Sequence, residues 1–160
     1  MNRKPLALAS AVLIFLSANI VAQKRKLREY VIVPAWRIQI VDEAGNPVKG
    51  AFVRQVWQDY DVEREGHEQD AGSNNDGYVS FPKRIIRTSP EERAKGRARN
   101  IQRLGVHASF GVHAYVLVWG EIVGCQRLEG DADYKEGKPL PSQLKMRKVT
   151  LPGFKCTSRG

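Results

Sequence analysis

The side chains able to do acid–base, metal or redox chemistry in this chain are few. There are three histidines, His67, His107 and His113, and two cysteines, Cys125 and Cys156. No histidine lies near either cysteine in sequence, which disfavours a Cys–His nucleophile. In an oxidising compartment Cys125 and Cys156 are expected to pair, closing a loop of about thirty residues that stabilises by roughly 3–4 kcal/mol in the chain-entropy model. Asp59, Asp61 and Glu63, followed by Glu65, put carboxylates at alternate positions. Calcium takes hard oxygen donors of this kind, about six to eight at a time. The run lacks the Gly and Glu of an EF-hand loop at their required positions, so a solvated acidic loop is the plainer expectation and no cofactor is called for. His107 and His113 fall on one face of an extended segment, but about 20 Å apart along it, too far to share a metal. A small hydrolase using His67 or His113 in a cleft is the enzymatic alternative to a non-catalytic domain.

The remaining chemistry is charge. The 160 residues carry 26 Lys plus Arg against 17 Asp plus Glu, a formal +9. The total conceals a segregation. Residues 59–76 hold seven acids and one Arg, whereas residues 83–103 hold eight basic residues and two Glu. Arg93, Lys95, Arg97, Arg99 and Arg103 form a candidate basic surface for an anionic partner such as lipid headgroups, envelope polysaccharide or an acidic protein. Nucleic acid is not expected, because no aromatic stacking pattern interleaves these charges. Successive connections between antiparallel strands lie at opposite ends, so the acidic loop and the basic segment are expected at opposite poles of the domain.

The N-terminus argues for export, which also removes the usual nucleic-acid partner. Arg3 and Lys4 precede an apolar run at 6–22, whose densest part has the length of a secretory h-region. Cleavage after Ala22 is one outcome. Lys24, Arg25, Lys26 and Arg28 follow at once and hinder translocation, so an uncleaved membrane anchor at 6–22 is the other. Either one places the rest of the chain outside the cytoplasm, periplasmic or secreted.

The elements that position these groups read as mainly β. Residues 23–35 are expected to be a basic linker, 36–154 a globular domain and 155–160 a tail. Trp36, Ile38 and Ile40 alternate with polar neighbours as in a half-buried strand. Further strands are expected at 51–57, 78–81, 106–119, 121–127 and 144–151, with a bulge near Arg147-Lys148. Ser89-Pro90-Glu91-Glu92 has the N-cap, first-turn Pro and third-position Glu of a capping box, predicting a helix over about 90–104. Its apolar stripe is Ala94, Ala98, Ile101 and Leu104. Short strands, Gly/Pro turns and one inserted helix point to an antiparallel β-sandwich.

One turn motif adds a resemblance. Residues Ile40 to Val53 carry Asp42-x-x-Gly45-x-Pro47-Val48-x-Gly50-Ala51-x-Val53, and Asp76-Gly77-Tyr78-Val79-Ser80-Phe81 follows. This resembles the opening of a carboxypeptidase regulatory-like domain, of the transthyretin-like (prealbumin-like) sandwich type. The resemblance implies a β-sandwich and confers no activity. In metallocarboxypeptidases such a module sits beside the catalytic domain, and no histidine here forms an H-x-x-E pair, His67 having Asp70 at that offset. The transthyretin-related hydrolases end in Tyr-Arg-Gly-Ser, whereas this sequence ends Cys156-Thr157-Ser158-Arg159-Gly160. The expectation is therefore an exported, non-catalytic binding or scaffolding domain, with a subunit of a larger envelope complex as a further alternative.

Overall fold

The computed structural model describes residues 26–123 and 126–150. The 6–22 segment, Cys125, Cys156 and the 155–160 tail lie outside the described residues, and the signal, anchor and disulfide expectations lie there with them.

The described elements are β1 (Arg28–Val33), β2 (Trp36–Val41), β3 (Phe52–Asp59), β4 (His67–Gly72), β5 (Tyr78–Phe81), β6 (Arg84–Thr88), α1 (Pro90–Leu104), a 3-10 turn (Gly105–His107), β7 (Val112–Val123), β8 (Gln126–Tyr134), β9 (Gln143–Lys145) and β10 (Arg147–Thr150). The protein is mainly β. The strands form a five-stranded sheet in the order β10-β8-β7-β3-β4, a three-stranded sheet β5-β2-β9 and a two-stranded ribbon β1-β6.

Strand alternation sets the core. Trp36, Ile38 and Ile40 of β2, with Val79 and Phe81 of β5, join Val53 of β3 and Ala114, Val116 and Val118 of β7 in one buried cluster. Each large side chain so buried contributes about 1.5–3 kcal/mol relative to exposure. The Trp36 indole also donates to the Pro141 carbonyl at 2.8 Å, which satisfies its one polar atom.

The two halves of the turn motif pack against each other. The Asp42 carboxylate accepts from the backbone N–H groups of Ala44 and Asn46 at 2.9 and 2.8 Å. These bonds hold its pKa below the ordinary carboxylate value. Gly77 sits at φ +75°, and a Cβ there would come within 2.6 Å of the Ile40 carbonyl. Only glycine lets the chain pass so close in that conformation.

Several expectations need correction. The linker, expected to grow extended toward residues 31–34, carries a paired strand, β1 (Arg28–Val33), in which Ile32 and Val33 are buried and which pairs with β6, unforeseen in the sequence. The strand expected at 106–119 begins only at Val112, after a turn in which Gly111 takes φ +68°. His107 therefore belongs to the 3-10 turn and not to the face of His113. The strand expected at 121–127 is instead the end of β7 and the start of β8. The phase break in the last segment falls at Met146, where the chain changes sheets. Leu144 pairs in parallel with Ile40, and Arg147–Thr150 then pair with β8. That parallel pair is also a departure from a wholly antiparallel arrangement.

The acidic loop contains β4, an edge strand whose apolar content is one alanine. It is held by its full ladder with β3 and by cross-strand charge pairs, in which Arg54 meets Glu68 at 3.0 Å and Asp70 at 2.7 Å. Charged edges of this kind resist pairing with other chains. The extra strand also changes the parity of the connections. The tight turn at 60–66 lies at one end of β3 and β4, the 73–77 turn at the other, and the chain leaving β5 returns to the first end. The basic helix therefore arrives beside the acidic turn.

Candidate functional site

Helix α1 starts as its sequence predicts. The Ser89 hydroxyl accepts from the Glu92 N–H at 3.1 Å, and the Glu92 carboxylate accepts from the Ser89 N–H at 3.1 Å. What it presents to the body is unexpected. Arg93, Gly96, Arg97 and Asn100, at i, i+3, i+4 and i+7, line one face and dock on the Asp59–Glu63 turn. The Arg93 guanidinium donates to Asp59 and, at 3.3 Å, to Asp61. Arg97 donates to Asp61 at 3.2 and 2.6 Å, and the Asn100 amide donates to the Tyr60 carbonyl. Both aspartate side chains are 0% exposed. Gly96 is the one buried residue of the helix, and a Cβ on it would overlap the Asp61 carbonyl.

This contact overturns the opposite-poles expectation, since the acidic turn and the basic helix neutralise one another directly. Burial pushes the Asp61 carboxyl up, but the Arg97 hydrogen bond, the Gly111 N–H and the charges of Arg97 and Arg93 outweigh it and hold the pKa below the ordinary carboxylate value. The calcium candidates are thereby engaged elsewhere. Asp59 and Asp61 bond arginines, while Glu63 accepts from the Asp59 N–H at 2.7 Å and meets His67 Nε2 at 2.9 Å. Among the described residues no three His, Cys, Asp or Glu gather as a metal site.

The predicted basic surface separates into different roles. Arg93 and Arg97 clamp the helix to the turn. Lys95 pairs with Glu91 at 2.8 Å on the open surface, an i,i+4 contact of small stabilising effect. Arg99 and Arg103 line a cavity of about 270 Å³ together with Arg64, Tyr60 and Asn100. None of these three arginines has a carboxylate within 4.0 Å among the described residues. Glu63, the one carboxylate on the cavity wall, is already bonded to His67 and a backbone N–H. Three unpaired guanidiniums around so small a space offer paired N–H donors to a phosphate, sulfate or carboxylate. Arg64 escaped the sequence reading because it is the single cation inside a run of acids; that isolation is the signal that marks it.

No protein-family model, curated protein or solved structure matches this chain.

The histidines are dispersed. His67 stacks on Trp57 at 5.5 Å and is exposed. His113 meets Tyr60 edge-on at 5.0 Å and lines a cleft of about 310 Å³ with Tyr115, Asp133 and Glu136. His107 is exposed on the 3-10 turn. A further cavity of about 750 Å³ lies between the 48–51 turn and β8, and its described lining brings Lys49, Gln126, Arg127 and Lys148 beside Val48, Ala51 and Leu128.

Proposed function

We propose that this chain is an exported, non-catalytic β-sandwich domain of the carboxypeptidase regulatory-like type that binds an anionic group at the cell envelope. The observation that carries the reading is the convergence of Arg64, Arg99 and Arg103 on one cavity, none of them ion-paired among the described residues and the one carboxylate there, Glu63, engaged with His67 and a backbone N–H. Two facts support the fold assignment: the contact between the Asp42 turn and Gly77, and the shared core of the two larger sheets. The ligand chemistry is a phosphate, sulfate or carboxylate group displayed on a lipid, a polysaccharide or a protein. Inorganic phosphate is the probe. Calorimetric titration of the full chain in detergent is expected to show saturable binding, which Arg99→Glu with Arg103→Glu weakens at least about tenfold, equivalent to about 1.4 kcal/mol. Both side chains are exposed, so the fold persists in the variant. Equal affinity in the two proteins would remove the reading.

One observation favours a second, hydrolytic reading: His113 shares its cleft with Asp133, the grouping a general base needs. Ester hydrolysis by the purified chain that disappears in His113→Ala would support it. Turnover that is absent, or equal in both proteins, would discard it.

A further inference from the structure

Docking α1 through its polar face leaves its apolar stripe uncovered. Ala94, Ala98, Ile101 and Leu104, the apolar stripe of the helix in the sequence, are all exposed, and Pro90 extends the same stripe. Pro90, Ala94, Ala98 and Ile101 flank an open groove of about 470 Å³ whose floor carries Tyr30 of β1. Just past the helix Val106 is 95% exposed, and the exposed Phe110 ring lies 5.7 Å from the Arg97 guanidinium. The helix cannot rotate to hide the stripe, because Gly96 and two ion-paired arginines, Arg93 and Arg97, which border the same groove, fix the adjoining face.

We infer that this flank of α1 lies on an anionic lipid bilayer, the one that the 6–22 segment engages. The inference rests on the envelope reading above, with 6–22 retained as an anchor, but not on the arginine cavity. Three observations favour lipid over a protein partner. The first is tether length: Tyr30 follows Ala22 by eight residues, which span at most about 26–29 Å. The second is direction. Arg28 pairs with Thr88, immediately before the helix cap, so the chain coming from 6–22 arrives at the start of α1 and beside its groove. The third is charge. Lys24, Arg25, Lys26 and Arg28 fill that short tether and suit anionic headgroups, while a helix with one apolar flank and cationic neighbours has the pattern of an interfacial helix. Tyr30, Ile101 and Phe110 supply the apolar surface that enters the headgroup boundary.

The test is photocrosslinking of the full chain in phosphatidylcholine–phosphatidylglycerol vesicles that contain a lipid with a photoactivatable acyl chain. Crosslinked peptides are expected from 90–110 as well as from 6–22. Ala98→Glu with Ile101→Glu is expected to reduce the 90–110 signal at least about fivefold, because a carboxylate at each position opposes insertion. Both positions are exposed, and an unchanged melting temperature verifies the fold. Crosslinks confined to 6–22, labelling unaffected by the two glutamates, or 90–110 captured by protein instead of lipid would each overturn the inference. Phosphate binding by the same variant separates the two proposals. Retained phosphate binding with lost 90–110 crosslinks in this variant keeps the arginine cavity independent of the lipid face, while a wild-type chain that crosslinks at 90–110 but binds no phosphate removes the cavity alone.

Discussion

Arg93→Met should destabilise the domain by about 3–5 kcal/mol, the range seen when one partner of a buried ion pair is removed. Such a loss is a large fraction of the roughly 5–15 kcal/mol that holds a typical domain folded. Methionine keeps an apolar stem but removes the guanidinium, and with it the cation–π contact 4.8 Å from the Tyr30 ring centroid as well as the ion pairs. It leaves the Asp59 carboxylate, 0% exposed, with the Asp61 N–H at 3.1 Å as its remaining bonded donor. Arg97→Met is expected to be much milder, about 1–2 kcal/mol. The Arg97 side chain is 55% exposed and already partly solvated, and Asp61 would retain Arg93 at 3.3 Å and the Gly111 N–H. Chemical denaturation of the two variants checks the order; equal losses would mean that burial of Asp59 is not what sets the effect. The same network fixes an acid response. The Asp61 pKa is lowered on folding, so its contribution is complete above the unfolded value near about 3.9 and is lost as pH falls through the folded value. Wild-type stability should therefore decline on acidification below about pH 4, and less steeply in Asp61→Asn.

Gly96→Ala should also destabilise, although alanine is the better helix former by about 1 kcal/mol. At an ordinary exposed helix site that propensity difference would make the substitution stabilising. Here the added methyl overlaps the Asp61 carbonyl, a backbone group that cannot turn away. The helix must lift, and lifting breaks the Arg93, Arg97 and Asn100 contacts together. The expected net loss is about 2–4 kcal/mol, the scale of overpacking combined with a lost polar network. The readout should be local. Amide exchange is expected to accelerate through 90–111 while β2, β3 and β7 keep their protection. Uniform acceleration across the sheets would instead mean that helix docking is integral to the core.

The parts of the fold legible in the sequence were those set by local chemistry. Alternation at Trp36–Ile40 and Ala114–Val118 identified core strands, the Ser89–Glu92 capping box fixed the start of α1, and Gly105 follows its end. The misses have non-local causes. Strand β4 carries almost no apolar signal, because its ladder and its charge pairs with Arg54 do the work that alternation does elsewhere. Overlooking it inverted the parity of the following connections and separated two segments that touch. The docking face of the helix was not legible, because the apolar stripe is the local signal whereas the buried side is a glycine flanked by arginines whose carboxylate partners lie 32 to 36 residues away. Of the basic-site residues, Arg99 and Arg103 were identified by charge alone. Arg64 needed the turn geometry that brings it to them.

The parallel pairing of β9 with β2 has a consequence for the order in which the chain can mature. Strand β2 comes early, yet one of its edges is filled by residues 143–145, and the Trp36 indole waits for a carbonyl 105 positions downstream. As the polypeptide emerges during synthesis, β2 can pair with β5 but its other edge stays open until β9 is out. Completion of the core therefore waits for residues 143–145, and until they emerge the nascent chain carries a half-paired apolar strand whose open edge other binders, such as chaperones, can occupy.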